Sequence, residues 1–174
     1  PNDAIMVDKS IGPMQDGQKA IRLVRQHAKE WGIDPNKIGI MGFSAGGHLA
    51  STLSTHFNEK VYEPVETTSA RPDFSLLIYP VISMDTGTTH MGSRVNLLGR
   101  NPSADRVNHF SNELQINRET PPAFLVHSID DGAVPVQNSI GYAMALERYH
   151  VPGELHIYQS GGHGYGLGRS KNTE

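Results

Sequence analysis

Apolar residues along the chain switch between two spacings, and the switching predicts a series of βα units. Over 13–31 they recur at Ala20, Ile21, Val24, Ala28 and Trp31, the three-to-four spacing of one helical face. Gly32 then closes the helix, and Ile33-Asp34-Pro35-Asn36 has turn chemistry. Residues 37–42 read as a short apolar strand. A helix follows from Ala45, small at first and then apolar at Leu49, Ala50 and Leu53. Residues 74–79 form a second strand stopped by Pro80, and 123–127 a third. A helix over 136–149 carries Val136, Ile140, Ala143 and Met144 on its apolar side. Residues 154–158 form a fourth strand, before a glycine-rich loop. Unbroken apolar runs such as 76–78 suit strands covered on both faces. The expected class is α/β, a mostly parallel sheet with flanking helices in one domain.

The stretch 83–122 breaks this rhythm. It is polar, with short helical patterns around 94–98 and 104–110, and an insertion of that length is expected to act as a cap over a site.

Composition narrows the partners. The net charge is −3 and the pI about 6.3, so no basic face is available to neutralise a phosphate backbone, and nucleic acid is not expected. No apolar run is long enough to span a bilayer, so no membrane partner is expected. The 174 residues include no cysteine, which removes disulfides, thiolate metal sites and a cysteine nucleophile together. Nine histidines are present, but neither an H-E-x-x-H motif nor a closely paired ligand spacing accompanies them, so no metal site is expected.

Gly42-Phe43-Ser44-Ala45-Gly46 is a G-x-S-x-G pentad set between the first strand and the helix after it. That context is a nucleophile elbow, in which a serine sits on a strained strand-to-helix turn and small flanking residues let the turn close. Ser44 is the expected nucleophile. The N–H of Ala45, at the positive end of the helix, is the expected oxyanion donor. Downstream, Asp130 lies just past the third strand, at the sheet edge where parallel sheets gather their functional groups. Asp130 is preferred over Asp131 as the acid, Asp131 reading as a solvated or loop-capping residue. His163, bracketed by glycines after the fourth strand, is the expected base. The order Ser, Asp, His is that of α/β-hydrolases. This chemistry needs no cofactor. His48 and His127 read as helix and buried-strand residues. A peptidase of the prolyl-oligopeptidase type has the same order, and a catalytically silent binding module could keep the same fold.

The segments 42–50 (GFSAGGHLA), 71–74 (RPDF), 79–83 (YPVIS), 96–99 (NLLG) and 161–166 (GGHGYG) resemble acetylxylan-esterase-like and feruloyl-esterase-like carbohydrate esterases of the α/β-hydrolase superfamily. The resemblance covers 13–167 and implies Ser44, Asp130 and His163 as the triad. It also implies a saccharide or small-molecule ester as substrate, short acyl groups (acetyl foremost) on xylan-type saccharides, and a periplasmic or secreted location. Arg94, Asn96 and Asn101 are candidates to meet sugar hydroxyls. Members of this family further carry a His-Gly-Gly oxyanion loop and a Tyr-Arg-Leu strand end before the elbow, and this sequence has neither. The chain is therefore expected to be the C-terminal part of the fold, incomplete at its N-terminus, with a further segment or a partner chain covering the elbow strand's edge. Full activity in a monomer of 19.0 kDa would contradict that expectation.

Overall fold

The computed structural model describes residues 8–63 and 67–166. The chain's first residues and everything after the histidine loop lie outside the described residues. Four strands, β1 (Gly39–Phe43), β2 (Phe74–Ile78), β3 (Ala123–Ser128) and β4 (Gly153–Tyr158), pair in parallel in the order of the chain. Right-handed crossovers between strands taken in sequence order put every connection on one face. There α2 (Ala45–Thr55) and α5 (Gln137–Arg148) pack through Ala50, Tyr142, Ala145 and Leu146 onto Leu77 and Leu125. The opposite face is less covered than the apolar runs suggested. Tyr79 and Tyr165 close its C-terminal end over Ile78, while Met41 and Phe74 stay 47% and 38% exposed. β1 and β4 are the two edge strands among the described residues.

Two helices differ from their expected faces, for one physical reason. The first, α1 (Gly12–Gln26), buries Met14 and Gln18 beside the expected Ile21; of the rest of the expected stripe Ala28 is buried just beyond the helix and Trp31 is not. Gln18 is inside because its amide donates to the carbonyls of His56 and Glu59. Beyond Gln26 the chain runs on in turns until Gly32, at φ +67°, ends it, and Trp31 lies outside, stacked on His27. Similarly, α5 buries Asn138, Ser139, Tyr142, Ala145 and Leu146, and turns Ile140 and Met144 to solvent. Asn138 accepts from the N–H groups of Ile82 and Ser83 and donates to the carbonyls of Thr88 and Pro135. A buried amide with its partners in place costs little, so apolarity alone misorients both helices.

The 83–122 stretch contains α3 (Met91–Leu98), α4 (Ala104–Phe110) and a 3-10 turn at Asn112–Leu114. Leu98 and Phe110 pack with Val81, Met84 and Val134 into a second small core. Arg94, a candidate for sugar hydroxyls, is buried, and its Nε–H donates to the Met84 carbonyl within the insertion.

Candidate active site

Ser44 sits at the tip of β1 with φ 52° and ψ −121°, a conformation that L residues avoid. A serine at a helix N-cap ordinarily turns its hydroxyl onto the first-turn N–H groups. Here no such bond forms, and the hydroxyl stays free for another partner. The strained turn is strapped to the end of β2: Ser44 N–H donates to the Ile78 carbonyl and Val81 N–H to the Ser44 carbonyl. Gly42 is required by contact, since a Cβ there would lie 2.2 Å from the Gly46 carbonyl oxygen. The second position that must stay bare is Gly47 rather than the pentad's Gly46. A Cβ at Gly47 would come within 2.5 Å of Pro80, and one at Gly46 would meet nothing within 4 Å.

The Ser44 hydroxyl lies 2.8 Å from His163 Nε2, and His163 Nδ1 lies 2.7 Å from Asp131 Oδ2. Because a carboxylate only accepts, Nδ1–H donates to Asp131 and Nε2 is left to accept from the serine. Of the two adjacent aspartates, the structure brings Asp131 to the ring and not the expected Asp130. Asp131, its side chain fully buried, meets the imidazole. Asp130 is exposed and accepts from Gly162 N–H at 2.8 Å and Gly161 N–H at 3.3 Å, holding the loop that carries the histidine. The reason lies in the turn after β3. Asp131 Oδ1 takes the N–H groups of Ala133 and Val134, each at 2.9 Å, which aims the carboxylate inward and leaves Oδ2 for the ring. Loop capping and ring orientation are compatible because a carboxylate has two oxygens. Burial pushes the Asp131 carboxyl up, but the Val134 N–H, His163 and the Ala133 N–H outweigh it, and the group sits below its ordinary value.

Two residues that sequence reading passed over support this line. His127, fully buried on β3, lies 3.2 Å from Asp131 Oδ2 and 3.0 Å from the Val134 carbonyl through Nε2. Both are acceptors, so Nε2–H donates to both and Nδ1 accepts from the Ser139 hydroxyl at 2.8 Å. Burial holds this imidazole below its ordinary pKa and so neutral, as that pattern requires. Tyr79, at φ 36°, sets its ring edge-on to His163 with centroids 4.8 Å apart, and its hydroxyl accepts from Gly166 N–H. The signal for Tyr79 was its place before Pro80, at the end of a strand.

A cavity of about 330 Å³ opens beside the first turn of α2, lined by Ala45, Gly46, Leu49, Met84, Leu97 and Phe110 among others. Asn96 also borders it, whereas Asn101 is exposed elsewhere on the insertion. His48, buried on α2, donates from Nε2 to the Phe110 carbonyl at 2.8 Å and ties this wall to the elbow helix. Burial pushes its pKa down to about 4. The unfolded chain takes up this proton near pH 6.5 and the folded chain only near 4, so stability is complete above 6.5 and falls as pH drops through that window. Urea denaturation at pH 7 and pH 5 should show the wild type losing about 2 kcal/mol more than His48→Gln, which keeps a donor without a titrating ring.

A parallel sheet with a strained serine at a strand-to-helix turn, and a histidine and carboxylate brought to the same edge, defines an α/β-hydrolase. The chain superposes with TM-score 0.85 and 49% identity on an acetyl ester-xyloside bifunctional hydrolase from Caldicellulosiruptor lactoaceticus, over 91% of this chain and 59% of that one. A Thermogutta terrifontis esterase 2, solved phosphoramylated by tabun, superposes at 0.76 with 30% identity over 96% and 60%. An acetylxylan esterase of Xylanibacter ruminicola is 42% identical over 165 residues, 92% of this chain and 32% of that protein. The chain belongs to the BD-FAE family, which its residues 7–146 match. It spans about a third of the curated acetylxylan esterase, 32% of that length.

Proposed function

We propose that this chain carries the reaction centre of a serine carboxylesterase that removes short acyl groups, acetyl foremost, from xylan-type saccharides. The observation that carries the reading is the unbroken line Ser44 Oγ–His163–Asp131, with links of 2.8 and 2.7 Å. In this reading His163 takes the Ser44 proton as the oxygen attacks the ester carbonyl. Asp131, in the role first given to Asp130, fixes the tautomer and stabilises the imidazolium. The Ala45 N–H, at the uncapped start of α2, donates to the oxyanion. The imidazolium gives that proton to the departing sugar oxygen as the ester C–O bond breaks, and water, deprotonated by the same base, then releases the acyl group and returns the proton to Ser44. The apolar cavity beside Ala45 suits the acyl side of the ester, with 83–122 as its cap. The names of the matched relatives, an acetylxylan esterase and an acetyl ester-xyloside hydrolase, support the saccharide. A further segment or partner chain pairing along the open edge of β1 belongs to the same proposal.

A fluorophosphonate probe tests the nucleophile. Wild type should be labelled and Ser44→Ala should not, with p-nitrophenyl acetate hydrolysis lost in parallel. Equal labelling of the two would end the proposal.

A further inference from the structure

At the far end of α2 from Ser44, His56, Glu59 and His109 come together, each offering one ligand atom, with all three atoms within 4.8 Å of one another. None of them takes part in the chemistry above. The helix between has 11 residues, which places this cluster about 16 Å from the serine.

His56 is the informative member. It is 7% exposed, and Thr55 Oγ1 lies 2.8 Å from its Nδ1. That hydroxyl has one proton, and the Ser51 carbonyl is placed to take it at 2.9 Å. With that proton on the Ser51 carbonyl, the Thr55 oxygen accepts from His56 Nδ1–H, and Nε2 is the nitrogen left over, with the His109 backbone carbonyl near the ring. Nε2 is sealed from solvent and has no hydrogen-bond partner of good geometry. An orphaned acceptor of this kind costs about 1–3 kcal/mol unless something binds it. A metal-bound histidine has the same arrangement, one ring nitrogen donating to an oxygen and the other facing the ion. His109 stands against it, with ring centroids 4.6 Å apart, and His109 Nε2 is 3.2 Å from Glu59 Oε2.

We propose that His56, Glu59 and His109 form a site for a zinc-type divalent cation that fastens the end of the elbow helix to α4 of the insertion. Two imidazoles and one carboxylate suit Zn²⁺ better than Ca²⁺ or Mg²⁺, which prefer all-oxygen sets. Metal–ligand bonds of about 2.1 Å put tetrahedral ligand atoms about 3.4 Å apart. The cluster must therefore tighten somewhat. The Glu59 and His109 side chains are 37% and 40% exposed and free to do so. A solvent oxygen completes the fourth position. Because Phe110 follows His109 and walls the cavity, the ion would stiffen that wall without touching the acyl transfer.

The test is equilibrium dialysis of chelator-stripped protein against Zn²⁺, with Co²⁺ as a spectroscopic substitute and circular dichroism to confirm folding. Wild type should bind one equivalent, give the visible bands of tetrahedral Co²⁺ and melt at a higher temperature with Zn²⁺. His109→Ala, at a part-exposed position, should fold and lose all three, and Glu59→Gln should weaken binding. His156→Ala, which breaks an exposed histidine–glutamate pair of similar geometry, should behave as wild type. No uptake by wild type, uptake unchanged in His109→Ala, or an equal loss in His156→Ala would overturn the site.

Discussion

Asp131→Asn should lower kcat on p-nitrophenyl acetate by about 10⁴-fold, while Asp130→Asn keeps activity within about tenfold of wild type. An asparagine at 131 can turn its NH2 toward His163 Nδ1, and the ring is then held in the tautomer that cannot accept the Ser44 proton. Fold and loop survive, because the amide oxygen still takes the Ala133 and Val134 N–H groups. Asp130 supplies only acceptors to Gly161 and Gly162 from an exposed position, and an asparagine oxygen replaces part of that. Steady-state kinetics on the two variants decides the assignment. Equal losses, or the larger loss at 130, would return the orienting role to Asp130.

His127→Leu should cost about 2–4 kcal/mol of stability and lower kcat roughly tenfold under conditions where the protein stays folded. The substitution strips the Val134 carbonyl and the Ser139 hydroxyl of a partner in a dry interior, at about 1–3 kcal/mol per unsatisfied group with part regained as the hydroxyl turns, and leaves Asp131 Oδ2 with His163 alone. His127→Gln can still place an N–H near the position of Nε2 and should recover most of both losses. Urea midpoints with unchanged slope give the first quantity and kcat the second. If leucine and glutamine give the same kcat, His127 is only a packing residue.

Local patterns made the elbow legible. Gly42-Phe43-Ser44-Ala45-Gly46 between an apolar strand and a helix names a serine by chemistry that lies within a few residues, and a histidine between glycines after the last strand is nearly as local. The parallel sheet was readable for the same reason, since its strands are short apolar runs separated by helical periods. The choice of aspartate was not local. It depended on which of two adjacent carboxylates turns inward after β3, and the N–H groups of Ala133 and Val134 settle that in space. Gly47 rather than Gly46 had to be bare because Pro80, from the next strand's end, packs against it. Helices α1 and α5 presented unexpected faces because Gln18 and Asn138 are buried with distant partners, and polarity in the sequence carries no record of partners.

By itself the sequence determined the class of fold and marked Ser44 and His163 as the candidate nucleophile and base, because each rests on neighbours along the chain. Tertiary structure alone decided that Asp131 rather than Asp130 meets the imidazole, that His127 lies behind that carboxylate, and that His109 meets His56 and Glu59. Those are contacts between residues from separate elements. A side chain's direction and its unsatisfied lone pairs exist only once the chain has closed on itself.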